Sequence, residues 1–267
     1  KDKKLYNKPW YKKLIIVLAG VINNFILAFV VLFVIALIYG SYSTKPVIGV
    51  FSKDSACQKA GFEIGDKIIK INGKRTRSWD DVTLRLILAN SKKSQVFVLK
   101  DKDGNEKTIK VRPAKNKDKD GNVSYSYGIG ISDKKYHGVL NALKFSTSKF
   151  VSTFDSMIIT IKALFTGKVG ISSLSGPVGI YKIVGEQSKT GAYGLLYLLA
   201  YLSINVGFIN LLPFPAFDGY RGLTIIIEKI TGKQINPKVD AIVNNIGLMI
   251  LFALMIFITI KDVIKLF

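Results

Sequence analysis

The sequence predicts a polytopic α-helical membrane protein with an extracytoplasmic α+β domain inserted between its first two spans. Three observations predict it. Long apolar blocks recur at residues 14–39, 193–213 and 241–263. A basic, turn-rich segment with alternating apolar and polar residues separates the first two blocks. An amide, two prolines and an acid then interrupt the chain just where the second block ends.

The opening segment, residues 1–13, carries Lys1, Lys3, Lys4, Lys8, Lys12 and Lys13. Residues 14–39 contain no charge. At ~1.5 Å per helical residue they can cross a hydrocarbon core of ~30 Å. The second block, 193–213, has polar interruptions at Ser203, Asn205 and Asn210. The third is short if counted from Ile246 to Ile260, and needs 241–245 or the final lysine-bearing tail to complete it. The hydrophobic fraction of 49% is ordinary for a soluble protein, so the blocks and not the average decide the class.

The net charge of +21 raises the question of nucleic acid. The excess is mostly lysine spread along the chain, with few arginines to grip phosphate bidentately, and no nucleic-acid motif accompanies it. Topology and anionic lipid explain it better, so the expected partner is the bilayer and not nucleic acid. The positive-inside rule places residues 1–13 in the cytosol, the region from Gly40 to about Gly191 outside, and the 214–240 connection inside. Arg221, Lys229, Lys233 and Lys238 in that connection agree. Cys57 is the sole cysteine and His137 the sole histidine, which excludes an intrachain disulfide and a cysteine cluster for zinc.

Residues 45–113 read as a compact domain. Residues 46–51 read as a strand, 55–60 as a short helix closed by Gly61, and 66–71 as an alternating strand ending in the turn dipeptide Asn72-Gly73. Residues 79–89 read as a helix, and 94–100 with 107–111 as a hairpin across Asp103-Gly104. Residues 114–138 read as a loop, its first part a flexible Lys/Asp/Gly-rich stretch. Residues 139–166 read as an amphipathic helix with Leu143, Phe150, Phe154, Met157, Ile158, Ile161 and Leu164 on its apolar side; lysines interrupt it, which suits the membrane surface better than a span. Residues 174–191 form a connector containing Ser175-Gly176-Pro177.

The stretch Asn210-Leu-Leu-Pro213-Phe-Pro215-Ala-Phe-Asp218-Gly219 carries the most chemistry. The prolines and glycine break a helix and free backbone groups that lipid cannot satisfy. An unpaired carboxylate at the bilayer centre costs ~2.5–3.5 kcal/mol on insertion scales, so Asp218 is either a functional group or the start of an ordinary cytosolic loop.

This stretch resembles the third-helix metal motif of the site-2 proteases, the intramembrane zinc metalloproteases. Leu174-Ser-Gly-Pro-Val-Gly-Ile180 resembles the segment preceding it in bacterial members, and Tyr6-Asn-Lys-Pro-Trp10 a stretch near the family's earlier motif. Ala19-Gly20-Val-Ile-Asn-Asn24-Phe25 resembles that Gly-Pro-x-x-Asn motif, with Val21 where proline usually stands. The 45–113 segment, with Ser-Ala-Cys-Gln-Lys-Ala-Gly-Phe62 and Gly-Asp-Lys-Ile-Ile-Lys-Ile-Asn-Gly73, resembles a bacterial PDZ domain, a module that binds extended peptides at a sheet edge; the alternative is a steric cap without a ligand. The whole resembles the bacterial subgroup that cuts anti-sigma factors and remnant signal peptides.

The resemblance implies a zinc ion held by two histidines and Asp218, with a glutamate as general base and a metal-activated water attacking a peptide bond of an unwound transmembrane substrate. It gives Asn210 a role in positioning the substrate or oxyanion, and Pro213, Pro215 and Gly219 a role in shaping the approach to Asp218. Gly20 and Asn24, at i and i+4 on one helix face, either belong to the site or pack helices through a small residue and an amide. Phe217 and Tyr220 depart from the family pattern, and no His-Glu-x-x-His occurs anywhere. The expectation is therefore a C-terminal portion of a longer protein, inactive alone, whose zinc helix lies upstream. The alternative is a non-catalytic membrane adaptor presenting an extracytoplasmic PDZ domain. The expected location is the bacterial cytoplasmic membrane, crossed several times, with the PDZ-like domain outside.

Overall fold

The computed structural model describes residues 8–89, 93–117, 123–170 and 176–264. Lys1, Lys3, Lys4, the start of the Tyr6–Trp10 stretch, and Leu174 and Ser175 lie outside the described residues. The chain divides into two compact units, residues 33–168 and residues 1–32 with 169–267.

The first unit is built on a four-stranded antiparallel sheet. β2 (Lys67–Ile71) lies between β3 (Lys74–Arg75) and β4 (Gln95–Lys100), and β4 pairs in turn with β5 (Glu106–Val111). The 95–111 hairpin forms as its Asp-Gly turn dipeptide predicts. β2 does not alternate cleanly. Ile68 and Ile71 are both buried although three residues apart. The register shifts between Ile68 and Lys70, and the extra residue returns Ile71 to the core face.

The core beneath the sheet joins Ile48, Phe62, Ile68, Ile71, Val82, Phe97, Leu99 and Val111 with Cys57 and Tyr127. Two helices close it. α2 (Ala56–Lys59) starts at Ser55, whose side chain accepts from the Gln58 amide. α3 (Trp79–Ile87) starts at Ser78, which accepts from the Asp81 amide, and buries Val82. The strand expected over 46–51 shortens to β1 (Val50–Phe51) with an isolated bridge from Val47 to Lys67. Gly49 there lies so close to a neighbouring segment that a Cβ would sit 2.0 Å from the Ser132 amide nitrogen.

The loop expected at 114–138 is corrected at 114–117, 123–126 and 129–130; residues 131–138 remain without a helix or strand, and 118–122 lie outside the described residues. β6 (Ala114–Lys117) and β7 (Val123–Ser126) form an antiparallel hairpin, and β8 (Ile129–Gly130) pairs with β1. Turn-forming residues flank this stretch, but Val123 and Tyr125 make a strand whose backbone groups pair with β6.

Burial pushes the Cys57 thiol up to about 12. At pH 8 its thiolate fraction is then roughly a thousandfold below that of an exposed thiol. A thiol reagent such as DTNB is expected to spare Cys57 in the folded protein and to modify it promptly in denaturant. Rapid labelling of the native protein would show that this core opens.

α4 (Val139–Phe165) is helical as expected, but its buried residues are mainly small or polar: Ala142, Ser146, Ser152, Thr153, Met157 and Ala163. Lys149 does not merely interrupt an apolar side. Its ammonium donates to both Asp80 oxygens of α3 at 2.7 and 2.8 Å, and Arg77 meets Asp155 at 3.5 Å. Polar pairing therefore holds α3 against α4.

The second unit is helical. α1 (Trp10–Tyr39) runs into it, followed by α5 (Pro177–Ser188), α6 (Gly191–Leu211), α7 (Asp218–Thr231) and α8 (Pro237–Ile264). Three of these, at 30, 21 and 28 residues, are long and apolar enough to cross a membrane: α1, α6 and α8. Many of their large apolar side chains are exposed, among them Ile26, Leu199, Met249 and Phe257, as lipid-facing positions would be.

Two connections read from sequence contain helices. The 174–191 connector is largely α5, with Pro177 at its first turn. The amides of Gly176 and Gly179, which have no acceptor within a starting helix, donate to Asp262 of α8 at 2.7 and 3.1 Å. Replacing Asp262 with alanine is expected to lower the thermal midpoint of the purified protein by on the order of 5 °C, with Asp262→Asn milder because its amide oxygen still accepts. An unchanged midpoint in the alanine variant would show that solvent substitutes for the carboxylate. The 214–240 connection holds α7, which ends at Gly232 in the left-handed conformation.

Candidate functional site

The second apolar block stops being helical where the prolines begin. α6 ends at Leu211, and Leu212 is extended with φ −63° and ψ 142°, the conformation favoured before proline. Phe217 N–H donates to the Phe214 carbonyl at 3.1 Å and closes a four-residue turn. Pro215 occupies its second position. Ala216, its third, has φ +82°, the positive value characteristic of a type II turn. Phe217 is extended, and Asp218 is the first residue of α7. Asp218 is thus neither in a loop nor inside a span. It opens a helix directly after a break.

The structure brings most of the sequence-derived residues together. A Cβ on Gly20 would lie 3.5 Å from Asp218 Oδ2, so the carboxylate faces α1 at its one side-chain-free position. Gly219 lies against the end of α6. A Cβ there would meet the Leu211 carbonyl oxygen at 2.1 Å and carbon at 2.4 Å. Asn210 occupies the last turn of α6, next to that contact. Gly222 faces Leu14 and Leu18 of α1, and Gly207 of α6 meets the Phe25 ring, where a Cβ would come within 2.6 Å. Small residues thus bring α1, α6 and α7 into close approach. Asn24 sits one turn after Gly20, and no hydrogen bond joins its side chain to the other site residues among those described.

Sequence reasoning missed the contribution of α8. Asn244 Oδ1 accepts the Ala216 amide at 3.1 Å, and its Nδ2 donates to the Asp240 carbonyl at 2.9 Å. Gly247 packs on Pro215, where a Cβ would meet Pro215 O at 2.6 Å. Asn244 and Gly247 are polar and small interruptions of the third apolar block, and that was the available signal. Tyr220 of α7 faces Asp240. Burial first, and then that carboxylate, push its phenol above the ordinary value.

Asp218 is half-buried, and its carboxylate has no hydrogen-bond or ion-pair partner among the described residues. Such a group suits a cation. Its oxygen chemistry fits zinc as one ligand and no more. Among the described residues no three His, Cys, Asp or Glu side chains converge to complete a site.

Residues 1–254 match peptidase family M50. The chain belongs to that family, the site-2 proteases. This M50 member is 36% identical over 98% of its length to the regulator of sigma-W protease RasP of Bacillus subtilis, covering 61% of that protein. It is 36% identical over its full length to the zinc metalloprotease RasP of Bacillus licheniformis, covering 62% of it. It is 34% identical over 98% of its length to a putative zinc metalloprotease of Fusobacterium nucleatum, covering 76% of it. The M50 chain therefore spans about three fifths of the length of the two RasP proteins.

Proposed function

We propose that this chain is the C-terminal portion of a membrane-embedded zinc endopeptidase that cleaves transmembrane segments of its substrates, of the anti-sigma-factor or remnant-signal-peptide type. The observation that carries the reading is the Asp218 carboxylate, unpartnered among the described residues and turned toward Gly20 at the start of α7. The RasP names support the reaction class. In this reading Asp218 supplies one zinc ligand, and two histidines and a general-base glutamate come from a His-Glu-x-x-His helix upstream of Lys1. Bound zinc would supply Lewis-acid activation of water. The chain's own residues do the rest. Asn210, whose side chain has no hydrogen-bond partner among the described residues, is available to hold a substrate backbone. Pro213, Pro215 and Gly219 hold the break that aims Asp218.

We assign the 45–113 segment, with β8, to peptide selection and to no chemistry. β8 pairs on one side only among the described residues, which leaves an edge for an added strand.

The test is the parent reading frame and its product. The frame should encode His-Glu-x-x-His in an apolar helix before Lys1, and the full-length protein should hold about one zinc per chain and cleave a model transmembrane substrate. A full-length protein that binds no zinc would instead leave a membrane adaptor. Topology has its own measurement. An impermeant thiol reagent applied outside intact cells should label a cysteine replacing Lys102 and spare one replacing Lys8. The opposite pattern would invert the proposed orientation.

A further inference from the structure

We propose that Asn244 is a positioning residue for Asp218, acting through the turn at Phe214–Phe217. The inference rests on the reading of Asp218 as a ligand, but its structural core does not. Ala216 holds a backbone angle, φ +82°, that L side chains rarely adopt. Glycine or asparagine is the usual residue at that place in a type II turn. Something outside the turn must therefore stabilise it. α8 does so at two points on one face, three residues apart. Asn244 takes the Ala216 amide at 3.1 Å, and Gly247 receives Pro215 with no room for a Cβ. The Asn244 amide is itself oriented by its bond to the Asp240 carbonyl at 2.9 Å. Both central residues of the turn are thus held by α8. Gly219 is held from the other side by the end of α6. Asp218 lies between these grips, two residues after Ala216 and one before Gly219.

The physical consequence is specific. Without the Asn244 acceptor, the Ala216 amide loses its partner, the Phe217–Phe214 bond and the Gly247 packing alone hold the positive φ, and the turn relaxes toward conformations open to alanine. The direction in which α7 leaves the turn then changes, and Asp218 moves with it. Glycine at 216 removes the need for the clamp, because glycine adopts positive φ without a steric penalty.

The experiment uses the full-length protein and two readouts. The first does not depend on metal: cysteines replacing Gly20 and Asp218 are cross-linked with a short bifunctional thiol reagent. The pair should cross-link efficiently. Asn244→Ala added to it should cut the yield several-fold, and Ala216→Gly added to that should restore it. The second is zinc affinity by competition with a chelator on the protein with Gly20 and Asp218 intact. Asn244→Ala should weaken zinc by roughly tenfold, the range of supporting residues around a ligand, with kcat falling more than KM rises. Asn244→Ala with Ala216→Gly should return to within about twofold of the starting affinity. If Asn244→Ala fails to accumulate, the double variant should accumulate. Rescue absent from cross-linking, affinity and accumulation overturns the proposal, as does an Asn244→Ala protein that cross-links like the parent. A parent that cross-links and responds to these substitutions but binds no zinc retires the metal reading and leaves the turn clamp standing.

Discussion

Replacing Asp218 with asparagine is expected to remove more than 99% of proteolysis in the full-length protein, roughly a hundredfold loss or more, while expression changes little. The amide occupies nearly the same volume, so the contacts with Gly20 and α1 are kept. Only the charge is lost, and a neutral amide is a poor ligand for a dication. Zinc content of the purified protein should fall in parallel. Asn210→Ala separates binding of metal from binding of substrate. It should reduce cleavage while zinc content stays near the parent value, because the contact proposed for Asn210 is with the substrate. Metal analysis beside cleavage of one model transmembrane substrate reads both variants. Wild-type zinc occupancy and turnover in Asp218→Asn would make Asp218 a structural residue at the start of α7.

Gly219→Ala is expected to be strongly disruptive although it adds no charge. Its new methyl would sit 2.1 Å from the Leu211 carbonyl oxygen and 2.6 Å from that of Leu212. Both are backbone atoms at the end of α6, so no side chain can swing aside. Either α7 shifts or the last turn of α6 unwinds. Inserting a methyl where nothing can yield costs roughly 1–3 kcal/mol and here also displaces the neighbouring Asp218. The variant should show a lower thermal midpoint in detergent and loss of zinc together. Gly185→Ala in α5 is the control. No atom lies within 4 Å of its Cβ position, so it should be neutral or slightly stabilising. A Gly219→Ala protein as stable and as metal-loaded as that control would show that the junction between α6 and α7 is looser than these distances imply.

The turn clamp explains why site residues at such a break are hard to find by motif alone. The motif marks the residues that carry chemistry. It does not mark the helix face that makes their backbone geometry tenable. Here that face belongs to α8, and its asparagine is 28 residues away from the amide it receives. Asp262 repeats the pattern, reaching the amide of Gly176 across 86 residues.

What the sequence by itself determined is what depends on local chemistry. The three helices long and apolar enough to cross a membrane were legible because they require only length and apolarity in one run. The break after Leu211 was legible because proline removes a donor and restricts the residue before it. The 95–111 hairpin was legible from its alternating strands and turn dipeptide. Gly20, Pro215, Asp218 and Gly219 could be named as one group from motif resemblance. Tertiary structure alone decided the rest. It paired 114–117 with 123–126 where a loop was expected, because strand pairing satisfies backbone groups that a turn-rich composition leaves to water. It started α7 at Asp218, where Gly219 fits against the end of α6 across the break and Gly222 fits on α1, a helix distant in the chain. It placed Lys149 against Asp80, where an ion pair offsets the burial that an apolar helix side would otherwise forbid. And it brought Asn244 and Gly247 to the turn, because only the folded packing of α8 places an acceptor at the Ala216 amide and a side-chain-free position at Pro215.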